Sequence, residues 1–184
     1  MVKYWLHNGF ITINSEKMSK SLNNFFLVKD VLEHYSPDAL RFFLISNHYR
    51  SPLDFSDERL EEMTRSLERL GTAIDNVLEL LAMPAGAKCR KPTQALERLH
   101  KDEEAFENAM CDDFNTALAS AAMFDLAKNV NIFKNAVVNN GVPVDSAALS
   151  EVKRVFKTFT DILGILEDRW TGKKEDASSK DYDD

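Results

Sequence analysis

Residues 56–82, SDERLEEMTRSLERLGTAIDNVLELLA, decide the architecture. Leu60, Met63, Leu67, Leu70, Ile74, Val77 and Leu81 recur three and four positions apart, which lays them on one face of a helix of about six turns. Ser56 is placed to cap its start, and Asp57 and Glu58 follow where the positive end of a helix favours acids. Met83-Pro84-Ala85-Gly86 ends it. The apolar stripe is narrow, so this helix must bury one side against others like it.

Toward the C-terminus the pattern recurs. Leu96, Leu99, Phe106 and Met110 repeat it weakly, and Asp112-Asp113-Phe114-Asn115-Thr116 interrupts it. An Ala-rich helix with Leu118, Ala122 and Leu126 then reaches Val137, and Asn139-Asn140-Gly141-Val142-Pro143 forms a loop. Leu149, Val152, Phe156, Phe159, Leu163 and Leu166 mark a last helix. Four helices with short connections predict an antiparallel bundle over residues 56–170. Residues 171–184 lack apolar periodicity and are expected to be a disordered tail.

Toward the N-terminus the pattern is mixed. Tyr4-Trp5-Leu6 reads as the end of a helix, with His7-Asn8-Gly9 as its breaker. Phe10-Ile11-Thr12-Ile13 is strand-like, Asn14-Ser15-Glu16 turns the chain, and Lys17-Met18-Ser19-Lys20-Ser21 reads as a polar loop. Val28, Val31, Leu32 and Tyr35 share a helical face. Ser36-Pro37-Asp38 then starts a helix running to about Asn47. The fold class expected is mainly α: a small mixed α/β piece over residues 1–55, followed by the helical bundle.

Composition narrows the function. The 184 residues fit one soluble domain, or one with an appended piece. No run approaches a membrane span, and no signal pattern opens the chain. Two cysteines, Cys89 and Cys111, suit a reducing, cytoplasmic compartment and lack the spacing of a zinc knuckle. The net charge of −7 argues against a general polyanion-coating protein, so any nucleic-acid contact must be local. The first 55 residues carry +1, residues 56–170 carry −6 and the tail −2.

The sharp motif is Lys17-Met18-Ser19-Lys20-Ser21. Two lysines three apart among small hydroxyl residues make a cationic loop able to reach a polyphosphate; the competing reading is a solvated basic turn. Its place after a strand-like run and before a capped helix favours the first.

These five residues resemble the KMSKS signature of class I aminoacyl-tRNA synthetases. Tyr4–Gly9, Ser21-Leu22-Asn23-Asn24-Phe25-Phe26 and His48-Tyr49-Arg50-Ser51-Pro52-Leu53 resemble bacterial-type cysteinyl-tRNA synthetases, and Asp113–Thr116 with its flanking helices resembles that family's DALR-type tRNA-binding domain. The resemblance covers about residues 2–168. It departs at Asn23, where the family usually has glycine; asparagine is the residue that best replaces glycine at positive φ. It implies a ligase that activates cysteine with ATP and Mg, then transfers it to tRNA(Cys). Residues 1–55 would be the end of the catalytic domain. Lys20 and Lys17 would be catalytic, and Lys17, Met18, Ser19, Lys20 and Ser21 would hold ATP. The nucleophilic carboxylate is already an anion, so the need is for ammonium groups to meet charge growing on the leaving pyrophosphate.

The family's HIGH motif and its Cys, His and Glu zinc ligands have no counterpart here. His7, His34, His48 and His100 lack ligand spacing, so no metal site is expected in this chain, and zinc belongs to a missing N-terminal part. Met1 is expected to mark a truncation and the chain alone to be an inactive monomer. Candidate nucleic-acid contacts are Arg41, Arg50, Lys88, Arg90 and Lys91. Against these stand a salt bridge for Arg41, domain-junction packing for Arg50, and a solvated loop for the other three. Trp5 and Phe25-Phe26 read as core rather than base-stacking surfaces, yet Trp5, Leu6 and Phe10 would be exposed without the missing half. Two other functions compete: a non-catalytic tRNA-binding or interaction module derived from the family, and a cysteine:amino-sugar ligase. Methionyl-tRNA synthetase shares the loop chemistry, but His48–Leu53 fits it less well.

Overall fold

The computed structural model describes residues 2–13, 16–18, 27–83 and 94–172. Its elements are β1 (Ile11–Ile13), β2 (Glu16–Lys17), α1 (Val28–Leu32), α2 (Pro37–Ile45), β3 (Leu53–Phe55), α3 (Asp57–Ala82), α4 (Gln94–Cys111), α5 (Thr116–Asn140), α6 (Ser146–Leu163) and α7 (Glu167–Thr171). The molecule is mainly α with a small mixed sheet, as its patterning predicts.

The sheet has the order β2-β1-β3. β1 pairs antiparallel with β2, Thr12 opposite Lys17, and parallel with β3, Ile11 opposite Leu53 and Ile13 opposite Phe55. Thr12 Oγ1 donates to Asp54 Oδ1 at 2.7 Å across the parallel pair. Ile13, Leu53 and Phe55 turn one face inward onto Val31, Phe43 and Leu60, and Met18 packs against this cluster. Strand β3 was not foreseen. Leu53-Asp54-Phe55 is too short to show a period, and it becomes a strand because β1 supplies its partners.

Two further expectations are corrected. Residues 4–10 hold no helix; three apolar residues cannot fill a helical face, and Gly9 and Phe10 instead bond to the 49–53 segment. Helix α1 is only 5 residues long, with Val28 exposed and Val31 its buried anchor.

Ser36 caps α2, its Oγ accepting from the Ala39 N–H at 3.2 Å, with Pro37 in the first turn. Ser56 caps α3 in the same way through the Arg59 N–H. In α3, Leu60, Leu67, Leu70, Ile74 and Val77 are buried as expected, but Leu80 takes the last buried place expected of Leu81. Leu80 is buried in a separate small cluster with Val144 and Leu149, and Leu81 packs against it only partly buried.

The bundle core joins α2 to α3, α4, α5 and α6, with Phe106 and Phe159 stacked at 3.9 Å and 8°. Adjacent residues of α2 serve two cores: Phe42 faces the bundle and Phe43 the sheet. Helices α4 and α5 form an antiparallel hairpin. Between α3 and α5 the pairing Asn76–Asn131 and Glu79–Lys134 keeps a constant offset of 55, and Arg69 lies over Phe124 at the same offset, so these two helices run parallel. Leu118, expected in the α5 stripe, is exposed; Ala119, Ala122, Met123, Leu126 and Ala127 line the buried side instead.

Helix α6 stops at Gly164, whose φ of +66° suits glycine. Leu166 is buried but lies beyond α6, and α7 follows as a separate turn. It is tied down by Arg169, which pairs with Glu68 and Asp75 of α3, and by Trp170, whose Nε1 donates to Thr160. The expected tail beyond Gly172 lies outside the described residues.

Candidate functional site

The predicted phosphate loop begins on the sheet. Lys17 is the last residue of β2, held in register with Thr12, and its Nζ stands 5.3 Å from the centre of the Phe10 ring. That corrects its assignment to a free loop: the first lysine is strand-anchored. Met18 follows with its side chain against the small core. Ser19, Lys20 and Ser21 lie outside the described residues, as do Asn23, Phe25, Phe26, Lys88, Arg90 and Lys91. The chain is described again from Leu27 and enters α1 at Val28.

The Phe10 ring beside Lys17 is exposed, as are the apolar side chains of Tyr4, Trp5, Leu6, Ile11, Leu27 and Val28. Tyr4 and Trp5 are 81% and 75% exposed.

The other two arginines sit at junctions. Arg41 projects from α2 over the end of α6: a Cβ built on Gly164 would lie 3.0 Å from its Nη1. A cation over the C-terminal end of a helix meets the negative end of the helix dipole. One turn earlier, Asp38 Oδ2 accepts from the Leu166 N–H at 2.6 Å. Asp38 and Arg41 thus clasp the α6–α7 turn, where Leu166 has φ +59°. The sequence reading took Asp38 only as a first-turn acid, and local pattern holds no signal for a bond 128 residues away.

Arg50 reaches the α4–α5 turn. Its Nη2 is 3.0 Å from Asp113 Oδ2, and its Nε donates to the Tyr49 hydroxyl at 3.0 Å. Tyr49 in turn donates to Asp113 Oδ1 at 2.8 Å. The bond with Tyr49, and then the charge of Asp113, push the Arg50 guanidinium above its ordinary pKa. The packing read as the alternative for Arg50 is therefore present, with a side chain still 65% exposed. The sequence offered Tyr49 with His48 beside Arg50 as a candidate nucleic-acid face, whereas Asp113 was not a candidate and only the tertiary contact singles it out.

Among the described residues no group of three or more His, Cys, Asp or Glu could hold a metal ion, and no helix is long and apolar enough to cross a membrane. Cys111 is a free, exposed thiol.

A strand-anchored lysine signature joined to a helical bundle is the arrangement that comparison with known proteins bears on. Residues 1–65 match the family model of the tRNA synthetases class I (C) catalytic domain, and residues 105–167 match the DALR domain. The ternary complex of Agrobacterium radiobacter LeuRS with tRNA and LeuAMS shares the fold. Its TM-score is 0.63 at 21% identity, over 89% of this chain and 22% of that one. The class defined is thus the class I aminoacyl-tRNA synthetases.

Two curated relatives narrow it further. The cysteine–tRNA ligase of Desulforamulus reducens is 47% identical over 175 residues, 93% of this chain and 36% of its own length. That of Heliobacterium modesticaldum is 42% identical over 172 residues, 90% and 35%. The chain belongs to the cysteinyl-tRNA synthetase family. It spans about a third of the length of these relatives.

Proposed function

We propose that this chain is part of a cysteine–tRNA ligase that activates cysteine with ATP and transfers it to tRNA(Cys). Residues 1–55 close its catalytic domain and residues 56–170 form its tRNA-binding bundle. The observation that carries this reading is the β1–β2 pairing, which holds Lys17 at a sheet edge beside the exposed Phe10 ring. The roughly two-thirds of such a ligase that lies outside this chain supplies the cover for that ring. It would also hold the zinc that the family resemblance implies.

In this reading the cysteine carboxylate attacks the α-phosphorus of Mg-bound ATP and pyrophosphate leaves. Lys17 and Lys20 bring compact positive charge to the phosphates, where it stabilises the departing pyrophosphate more than the bound nucleotide. Ser19 and Ser21 offer hydroxyl groups to the same oxygens. Anchoring on the strand gives Lys17 a fixed root, and a preorganised cation stabilises developing charge without first having to be ordered. The DALR match over residues 105–167 favours a tRNA ligase over an amino-sugar ligase.

ATP–pyrophosphate exchange tests the proposal. In the longer ligase carrying this sequence, Lys20→Ala should slow adenylate formation by about 100-fold or more, with cysteine binding little changed; Lys17→Ala should act in the same direction. Equal losses in both quantities would refute the transition-state role. The 184-residue chain by itself should show no exchange.

A further inference from the structure

The α4–α5 turn is built around one carboxylate. Tyr49 donates to Asp113 at 2.8 Å, Arg50 Nη2 lies 3.2 Å from Oδ1 and 3.0 Å from Oδ2, and His48 Nε2 stands 3.7 Å from Oδ2. His48 also stacks on Tyr49, with ring centres 4.9 Å apart. Three consecutive side chains of one loop therefore converge on a single residue of the bundle.

The backbone of that loop continues the connection. The Tyr49 carbonyl accepts from the Gly9 N–H at 2.7 Å, and the Leu53 N–H donates to the Phe10 carbonyl at 2.9 Å. Gly9 meets the loop so closely that a Cβ there would lie 2.2 Å from the Ser51 carbonyl oxygen. Phe10 leads into β1, and its ring lies under Lys17 Nζ. Direct contacts thus run from Asp113 through Tyr49 and the Gly9–Phe10 backbone to Lys17.

A second observation falls at the same turn. Asp113 and Phe114 have φ of +56° and +54°, two successive non-glycine residues in the left-handed region. That conformation is unfavourable for a residue with a Cβ and persists where surrounding contacts impose it. Here it presents the Asp113 carboxylate to the loop. The Asp113 side chain is 38% exposed, so its ion pair with Arg50 is a weak, reversible contact rather than a buried clamp.

We infer that Asp113 is a positioning residue for Lys17, through which the helical bundle sets the place of that strand-anchored lysine. The inference rests on the reading of Lys17 as a phosphate-facing lysine. It assigns Asp113 no contact with ATP.

Hydrogen exchange on the 184-residue chain tests the coupling. In Asp113→Asn and in Tyr49→Phe, the amides of Gly9 and Leu53 should exchange about tenfold faster while those of α3 and α6 keep their protection. Unchanged Gly9 and Leu53, or a uniform loss that includes α3, overturns the proposal. Should Asp113→Asn fail to fold, Tyr49→Phe, which removes a single hydroxyl, decides on the same readout. In the longer ligase, Asp113→Asn should lower kcat for ATP–pyrophosphate exchange several-fold with KM for cysteine unchanged; an unchanged kcat overturns the positioning role. Failure of the Lys17 reading shows separately, as a Lys17→Ala variant with full exchange activity, and leaves the amide result to judge Asp113.

Discussion

At the scale of single residues, position in space decides what a side chain does. Gly9 reads in the sequence as a helix breaker, yet no helix precedes it. Its importance is the bare Cα that lets the Ser51 carbonyl approach. Gly9→Ala must push the 49–51 segment away and break the bond from the Gly9 N–H to Tyr49. We expect it to lower unfolding free energy by about 1–3 kcal/mol, measured by urea denaturation. A variant with the wild-type midpoint would contradict the close approach. Arg41 shows the same lesson, since a residue considered for tRNA contact lies over the glycine that ends α6.

At the scale of elements, α4 carries a carboxylate that the bundle holds at a cost. Asp102 faces α5, where Asn129 Nδ2 donates to its Oδ2 at 2.9 Å, beside a small cavity lined by Leu99, Leu126 and Val130. Burial raises its pKa, Asn129 opposes that shift, and nearby Asp125 adds to it. The folded carboxyl therefore keeps its proton to higher pH than the unfolded one. In that window the folded state binds more protons, so this group's contribution to stability falls as pH rises from the ordinary carboxylate range near pH 4. Asp102→Asn retains an acceptor for Asn129 and removes the charge. It should raise Tm by about 1–2 °C at pH 7 and flatten the pH dependence on the acid side, as thermal melts from pH 3 to 7 would register. A larger gain at pH 3 than at pH 7 would reverse the sign of this argument.

At the scale of the whole molecule, the surface is divided. The bundle closes its own core, whereas Tyr4, Trp5, Leu6, Phe10, Ile11, Leu27 and Val28 stay exposed among the described residues. Exposed apolar side chains of this kind bind hydrophobic dyes and promote association. The 184-residue chain should therefore bind such a dye, and Tyr4→Ser with Trp5→Ser should reduce that binding by about half or more while leaving the thermal transition of the bundle in place. Neither residue touches the bundle core, so a lowered Tm would show that these side chains support the bundle after all. Trp5 should be open to iodide quenching in a Trp170→Phe background, because Trp170 packs against Phe156 and Trp5 is 75% exposed.

What the sequence determined by itself was whatever depends on neighbours along the chain. The period of Leu60 to Val77, the caps at Ser36 and Ser56, the interruption at Asp112–Thr116 and the lysine signature are all local, and local physics places them. The family too was legible, because the residues flanking Lys17–Ser21 carry it. The tertiary structure decided what depends on partners far along the chain. Leu53–Phe55 became a strand because β1 lies beside it, and in α5 Ala119, Ala122, Met123 and Leu126 took the buried side while Leu118 stayed exposed. Asp38 found its donor at Leu166, and Asp113 gathered Tyr49 and Arg50 across an interval of more than 60 residues. Periodicity records which face of an element is apolar. Only packing settles which element that face meets, and which polar groups are brought together when it does.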